Sequence, residues 1–144
     1  MMKKIIIGTD HAGYPMKENI VQWLKDNMYE VVDFGPDSAE PVDYPDIAHV
    51  LSREVEKDEQ VTGILLCGSG NGMAMAANKH HGIRAALCWN EEIAALAKKH
   101  NDANIICLPA RFINFEMAVK IINAFLGAEF EGGRHLGRIK KIPC

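Results

Sequence analysis

The apolar run Ile64-Leu65-Leu66 breaks at Cys67 into Gly68-Ser69-Gly70-Asn71-Gly72, and the helix-forming series Met73 to Lys79 follows at once. A short apolar strand that ends in a glycine loop and continues as a helix is the repeating unit of a parallel sheet covered by helices. Such a loop aims several backbone N–H groups at one point, beside the positive end of the helix dipole, and so holds an anion. It also carries a thiol at its entrance, where a thiolate is stabilised by the helix terminus. Cys67 is therefore a candidate base or nucleophile, although a tight turn with a buried packing cysteine fits the same residues. A dinucleotide fingerprint fits less well: it needs its third glycine at position 73, which is Met73, and only Glu91, about 20 residues on, supports it.

The same alternation runs through the chain. Lys4 to Gly8, Glu30 to Gly35, Ile83 to Trp89 and Ala103 to Leu108 read as further strands. Helices are expected from Pro15 to Asn27, from Asp43 with Ile47, Leu51 and Val55 on one face, from Asn90 to His100, and from Phe115 to Leu126. Five strand–helix repeats predict an α/β fold, a three-layer α/β/α arrangement around a five-stranded parallel sheet of Rossmann-like type. Residues 131–138 hold too many glycines for a packed helix, so 131–144 read as a C-terminal arm. Ligands of such sheets sit beyond the carboxyl ends of the strands, where the winding reverses. If strands one and three are neighbours, that rule gathers Asp10, His11, the segment Cys67 to Gly72, and Arg111.

Composition narrows the function. A chain of 144 residues with 48% hydrophobic content is expected to form one domain over 1–144. A net charge of -3 with 16 basic residues argues against nucleic acid as a partner. Met1-Met2-Lys3-Lys4 precedes only three isoleucines, too few for a signal peptide, and no segment approaches the ~20 apolar residues of a membrane span. A cytoplasmic protein is the expectation. Cys67, Cys88, Cys107 and Cys144 form no C-x-x-C pair and read as free thiols, with Cys88 and Cys107 packed inside strands. His80 and His81 read as surface residues, and no metal ligand set stands at usable spacing.

Taken together, the motifs Gly8-Thr9-Asp10-His11-Ala12-Gly13, Asp43-Tyr44-Pro45-Asp46, Cys67 to Gly72, Ala77-Asn78-Lys79, Gly82-Ile83-Arg84-Ala85-Ala86, His100-Asn101-Asp102-Ala103-Asn104 and Gly132-Gly133-Arg134-His135 resemble the ribose-5-phosphate isomerase B family. That family also includes galactose-6-phosphate and allose-6-phosphate isomerases. The resemblance implies interconversion of an aldose phosphate and a ketose phosphate, ribose 5-phosphate first, with no metal or organic cofactor, in a homodimer with shared sites. It implies Cys67 as the base between C1 and C2, and His100 as the acid–base group of ring opening. Asp10 would bond sugar hydroxyls or orient His100. His11, Arg111, Arg134 and Arg138 would take the phosphate, Asn101 and Tyr44 would contact the sugar, and Gly68, Ser69, Gly70, Asn71 and Gly72 would line the oxyanion. Met73 stands where other members carry a glutamate base, which places this chain with the cysteine type. Pro109-Ala110 before Arg111 departs from the family's usual glycine. A six-carbon sugar phosphate is the near alternative. A non-catalytic phosphate- or nucleotide-binding module would not need both Cys67 and His100, and a receiver-like domain would need more acids than Asp10 after strand one.

Overall fold

The computed structural model describes residues 3–144; Met1 and Met2, the start of the leader reading, lie outside the described residues. Five strands, β1 (Lys4–Thr9), β2 (Glu30–Asp33), β3 (Val61–Cys67), β4 (Ala85–Leu87) and β5 (Ile105–Pro109), form one sheet in the order β2-β1-β3-β5-β4. Every pairing is parallel. Strands β1 and β3 are neighbours, which meets the condition set in the sequence argument, and the winding reverses between them. β5 enters between β3 and β4, which leaves β4 on the edge.

Strand periodicity divides the core into two layers. Ile5, Ile7, Ile64, Leu66, Ile106 and Leu108 face one way, against Ile20 and Leu24 of α1 (Tyr14–Asp26), Ala94 and Ala97 of α4 (Glu91–Asn101), and Ala118, Ile121, Ile122 and Phe125 of α5 (Phe115–Gly127). Ile6, Leu65, Cys67, Ile105 and Cys107 face the other way, onto Ala48, Leu51 and Val55 of α2 (Tyr44–Glu56) and Met73 and Ala77 of α3 (Asn71–Ala77). Helix starts are set by local chemistry: Asn90 and Asn114 cap α4 and α5 through side-chain oxygens that accept from Ile93 N and Met117 N. Pro15 and Pro45 occupy first-turn positions of α1 and α2, where no N–H is missed. No helix among the described residues is long and apolar enough to cross a membrane.

Three expectations need correction. The segment read as a glycine-rich arm contains a helix, α6 (Arg134–Ile139), because Gly132 and Gly133 lie before it and only Gly137 lies inside it. Its His135 is buried. His80 is not a plain surface residue: its Nε2 lies 2.8 Å from His49 Nδ1, and its Nδ1 3.4 Å from Glu56 Oε1, while His81 is exposed. Cys88 is buried but lies just past the three-residue β4 rather than inside it.

Candidate active site

The carboxyl edge of β1, β3 and β5 carries the thiol. Cys67 ends β3 with its side chain in the α2–α3 layer, almost fully buried, and Gly70 N–H donates to its Sγ at 3.2 Å. Gly70 has φ +78 and its missing Cβ would lie 2.3 Å from Leu87 Cδ1, so both backbone and space exclude a larger residue. Gly72 is closed differently: a Cβ there would meet the Tyr44 ring at 2.6 Å. The ring of Tyr44, at the start of α2, thus lies directly on the loop. Ser69 Oγ accepts from Asn71 N at 3.2 Å and braces the turn from within. Of the other three thiols, Cys88 and Cys107 are fully buried. Burial raises Cys88 to about 12 and pushes Cys107 well above the ordinary thiol value, so both stay protonated near neutrality.

Asp10, buried at the end of β1, accepts from Ala12 N at 2.9 Å and Gly13 N at 3.3 Å, both through Oδ1, and so caps the short 3-10 turn His11–Gly13. His11 is exposed beside it. Among the described residues Asp10 makes no hydrogen bond to His100, so the expected orienting contact is not made within one chain. Arg111 belongs to the thiol edge in spite of Pro109-Ala110. Ala110 N donates to Cys67 O at 2.9 Å and Arg111 N to Gly68 O at 3.0 Å. The guanidinium passes over Gly68, whose missing Cβ would lie 3.2 Å from Nη1.

His100 and Asn101 end α4, which runs back to the opposite edge of the sheet before β5 begins. There the His100 ring stacks on His135 of α6, with centroids 4.3 Å apart and planes 12° from parallel. Glu131 Oε1 lies 3.6 Å from His100 Nε2 and 3.7 Å from His135 Nε2. A cavity of about 360 Å³ is lined by His100, Asn101, His135, Arg138, Ile139 and Ile142. Arg134 is exposed on the first turn of α6. From Gly63, paired with Ile105, to Cys67 the sheet rises four steps, about 13 Å. The structure therefore gathers the expected site residues into two groups, at opposite edges of one sheet.

Sequence reasoning missed three residues. Lys17 is fully buried with Nζ 2.8 Å from Asp33 Oδ2 and 3.0 Å from Pro36 O, pinning the corner beside Asp10. Its spacing to Ile20 and Leu24, on the apolar face of α1, was the available signal. Glu131 precedes α6 across Gly132 and Gly133, both with positive φ, so its approach to His135 follows no helical spacing and left no sequence signal. Other motif residues serve the scaffold: Asn78 exchanges two hydrogen bonds with the Ala85 backbone, and Asn104 bonds Arg84 N and Gly82 O.

A family model described as Ribose/Galactose Isomerase matches residues 5–142. A probable ribose-5-phosphate isomerase B of Mycoplasma pneumoniae is 44% identical over 143 residues, covering 99% of this chain and 94% of the relative. Among solved structures, a ribose 5-phosphate isomerase of Thermotoga maritima matches at 47% identity with a TM-score of 0.97, covering 99% of both chains. Ribose-5-phosphate isomerase B of Mycoplasma genitalium, solved with bound ribulose-5-phosphate, matches at 45% identity and a TM-score of 0.95, covering 99% of this chain and 95% of that one.

Proposed function

Because the chain belongs to the ribose/galactose isomerase family, we propose that Cys67 is the base and His100 the ring-opening group of its aldose–ketose isomerase reaction, each supplied to a given site by a different copy of the chain. The reaction interconverts D-ribose 5-phosphate and D-ribulose 5-phosphate. The observation that carries this is the likeness, over 99% of this chain, to a relative holding bound ribulose-5-phosphate.

The chemistry follows from the groups in hand. His100 gives a proton to the ring oxygen and takes one from the C1 hydroxyl, which frees the aldehyde. The Cys67 thiolate takes the proton from C2, and the negative charge moves to O1 as an enediolate. Backbone N–H groups of the Gly68 to Gly72 loop other than those of Gly70 and Asn71, which donate to Cys67 Sγ and Ser69 Oγ, take that oxygen, and because they are fixed before reaction they stabilise the charge without reorganising. The thiol returns its proton to C1 while the hydroxyl proton passes from O2 to O1, and the ketose results. Gly70 N–H already donates to Sγ, so the sulfur has a donor in place in either state. The phosphate is taken by Arg134 and Arg138 of one copy and by His11 and Arg111 of the other, since guanidinium forks match phosphate oxygens in pairs. Asn101 and Tyr44 hold the sugar, and Asp10 fixes the His11 turn.

Sharing between copies is supported by the separation of the two groups, which one chain cannot close around one small sugar. It is also supported by exposed apolar side chains at both groups: Met75, Trp89 and Phe112 near the thiol edge, Leu136 and Ile142 on the His100 side. In a two-fold dimer each edge meets the complementary edge of its partner, so two equivalent sites form. One sugar-phosphate isomerase domain then covers the whole chain.

Coupled turnover with ribose 5-phosphate, allose 6-phosphate and galactose 6-phosphate in EDTA tests the reaction, and ribose 5-phosphate should be the best substrate. Faster turnover of a six-carbon sugar would reassign it, and no turnover of any would end the isomerase reading. Mixing the inactive variants Cys67→Ala and His100→Ala tests sharing. About half the exchanged dimers are mixed and each holds one intact site, so about a quarter of wild-type activity should return. No recovery after subunit exchange has been verified by native mass spectrometry would place both residues in one chain's site.

A further inference from the structure

His100, Glu131 and His135 each offer one ligand atom, and these atoms all lie within 4.8 Å of one another, the one such group of three found among the described residues. Two imidazoles and a carboxylate are the donor set of zinc, nickel and cobalt sites, not of calcium or magnesium. The geometry is close to closing. A cation with bonds of about 2.0–2.1 Å sets its ligand atoms about 3.3 Å apart in a tetrahedral site and about 2.9 Å apart at adjacent square-planar or octahedral positions, and the carboxylate oxygen already stands 3.6 and 3.7 Å from the two Nε2 atoms. The rings are stacked nearly parallel, so each must turn on its side-chain torsions to aim a lone pair at the ion. The half-exposed Glu131 and the partly exposed His100 have room for that movement, while the buried His135 anchors the group. The adjoining cavity, with Asn101 and Arg138 on its wall, leaves a fourth position open to water. Arg134 and Arg138 beside it oppose a dication, so the bound ion should be removable by EDTA.

We propose that His100, Glu131 and His135 form a site for a divalent transition-metal ion of the zinc, nickel and cobalt kind. Occupancy ties the end of α4 to α6. It also takes up the imidazole assigned to ring opening, so a bound ion inhibits the isomerase, and this consequence alone rests on the function proposed for His100. Nickel suits the test because it favours imidazole over thiolate, and the Cys67→Ser variant should therefore bind it like wild type.

The experiment is calorimetric titration of the whole protein with nickel, with melting curves alongside. One ion per chain is expected, with a rise in melting temperature, since a ligand of the folded state alone stabilises it. Glu131→Gln and His135→Gln should each weaken binding at least about tenfold and lose the nickel-dependent rise. The first alters an exposed side chain and keeps the test valid should the second destabilise the fold. His49→Gln, at the other imidazole pair, should bind as wild type does. Unchanged binding in both Glu131→Gln and His135→Gln, or loss of binding in His49→Gln, overturns the site. Inhibition by nickel that EDTA reverses supports the consequence. Binding with no loss of turnover supports the site and overturns His100 as the ring-opening group.

Discussion

The two groups of candidate site residues are built by different means. Around Cys67 the backbone does the work: a ladder to β1 on one side and β5 on the other, and a turn whose glycines are required by φ +78 at Gly70 and by the Tyr44 ring at Gly72. Around His100 the side chains do it. A helix end, a six-residue helix and a shared carboxylate hold two imidazoles, with 37% of the His100 side chain and 52% of the Glu131 side chain exposed. A site made of backbone is sensitive above all to shape. A site made of stacked imidazoles and an acid is tolerant of shape and governed by protonation.

The largest effect that would break this contrast is at the thiol. Cys67→Ser should lower kcat at least about a hundredfold while KM stays close to wild type, as expected for a group that acts in the transition state. Retained turnover would make the loop a binding cradle and nothing more. On the other side, Arg138→Ala should raise KM by the equivalent of about 1.5–3 kcal/mol with little change in kcat, the size of a charge-assisted hydrogen bond present in both ground and transition states. An unchanged KM would remove α6 from phosphate binding.

Glycine replacements sharpen the comparison. Gly70→Ala meets Leu87 and an unfavourable φ and should cost about 1–3 kcal/mol of stability. Gly137→Ala has nothing within 4 Å of the new methyl and lies inside α6, so it should gain up to about 1 kcal/mol. Denaturant melts in which the two variants behave alike would show that the halves are equally rigid. The smallest effect is one of pH. Burial first, then His100 and Arg134, hold His135 below the ordinary imidazole value of 6.5. The unfolded chain therefore takes up the proton before the folded one does. Stability is whole above pH 6.5 and declines as pH falls below it toward the lowered value. Melting temperatures on either side of pH 6.5 should show this slope in wild type and a flatter one in His135→Gln.

This contrast also explains what could be read in advance. The sheet, the helices α1 to α5 and the thiol edge were legible because strand periodicity and glycine spacing are local signals, whereas the adjacency of β1 and β3 entered only as a condition that the structure meets. The His100 half was legible only through resemblance to known motifs. The stacking of His100 on His135 depends on where α6 docks, and a glycine count over residues 131–138 obscured that helix. His80 failed for a related reason: its partners, His49 and Glu56, lie on α2, and adjacency to His81 says nothing of them. Lys17 needed Asp33 from another strand before its burial made sense. Pairings across elements are set by packing, which no spacing rule records.

The strand order carries one more consequence, for how the chain assembles in time. β4 is made before β5, yet among the described residues its one hydrogen-bonded neighbour strand is β5. Until Ile105–Pro109 has been synthesised and has slid between β3 and Ala85–Leu87, the sheet stops at β3, with the apolar run Gly63 to Cys67 as an open border. Unpaired borders of that kind recruit other chains. The last strand to arrive is thus a keystone: it closes the sheet and completes the ladder beside the glycine loop in the same event.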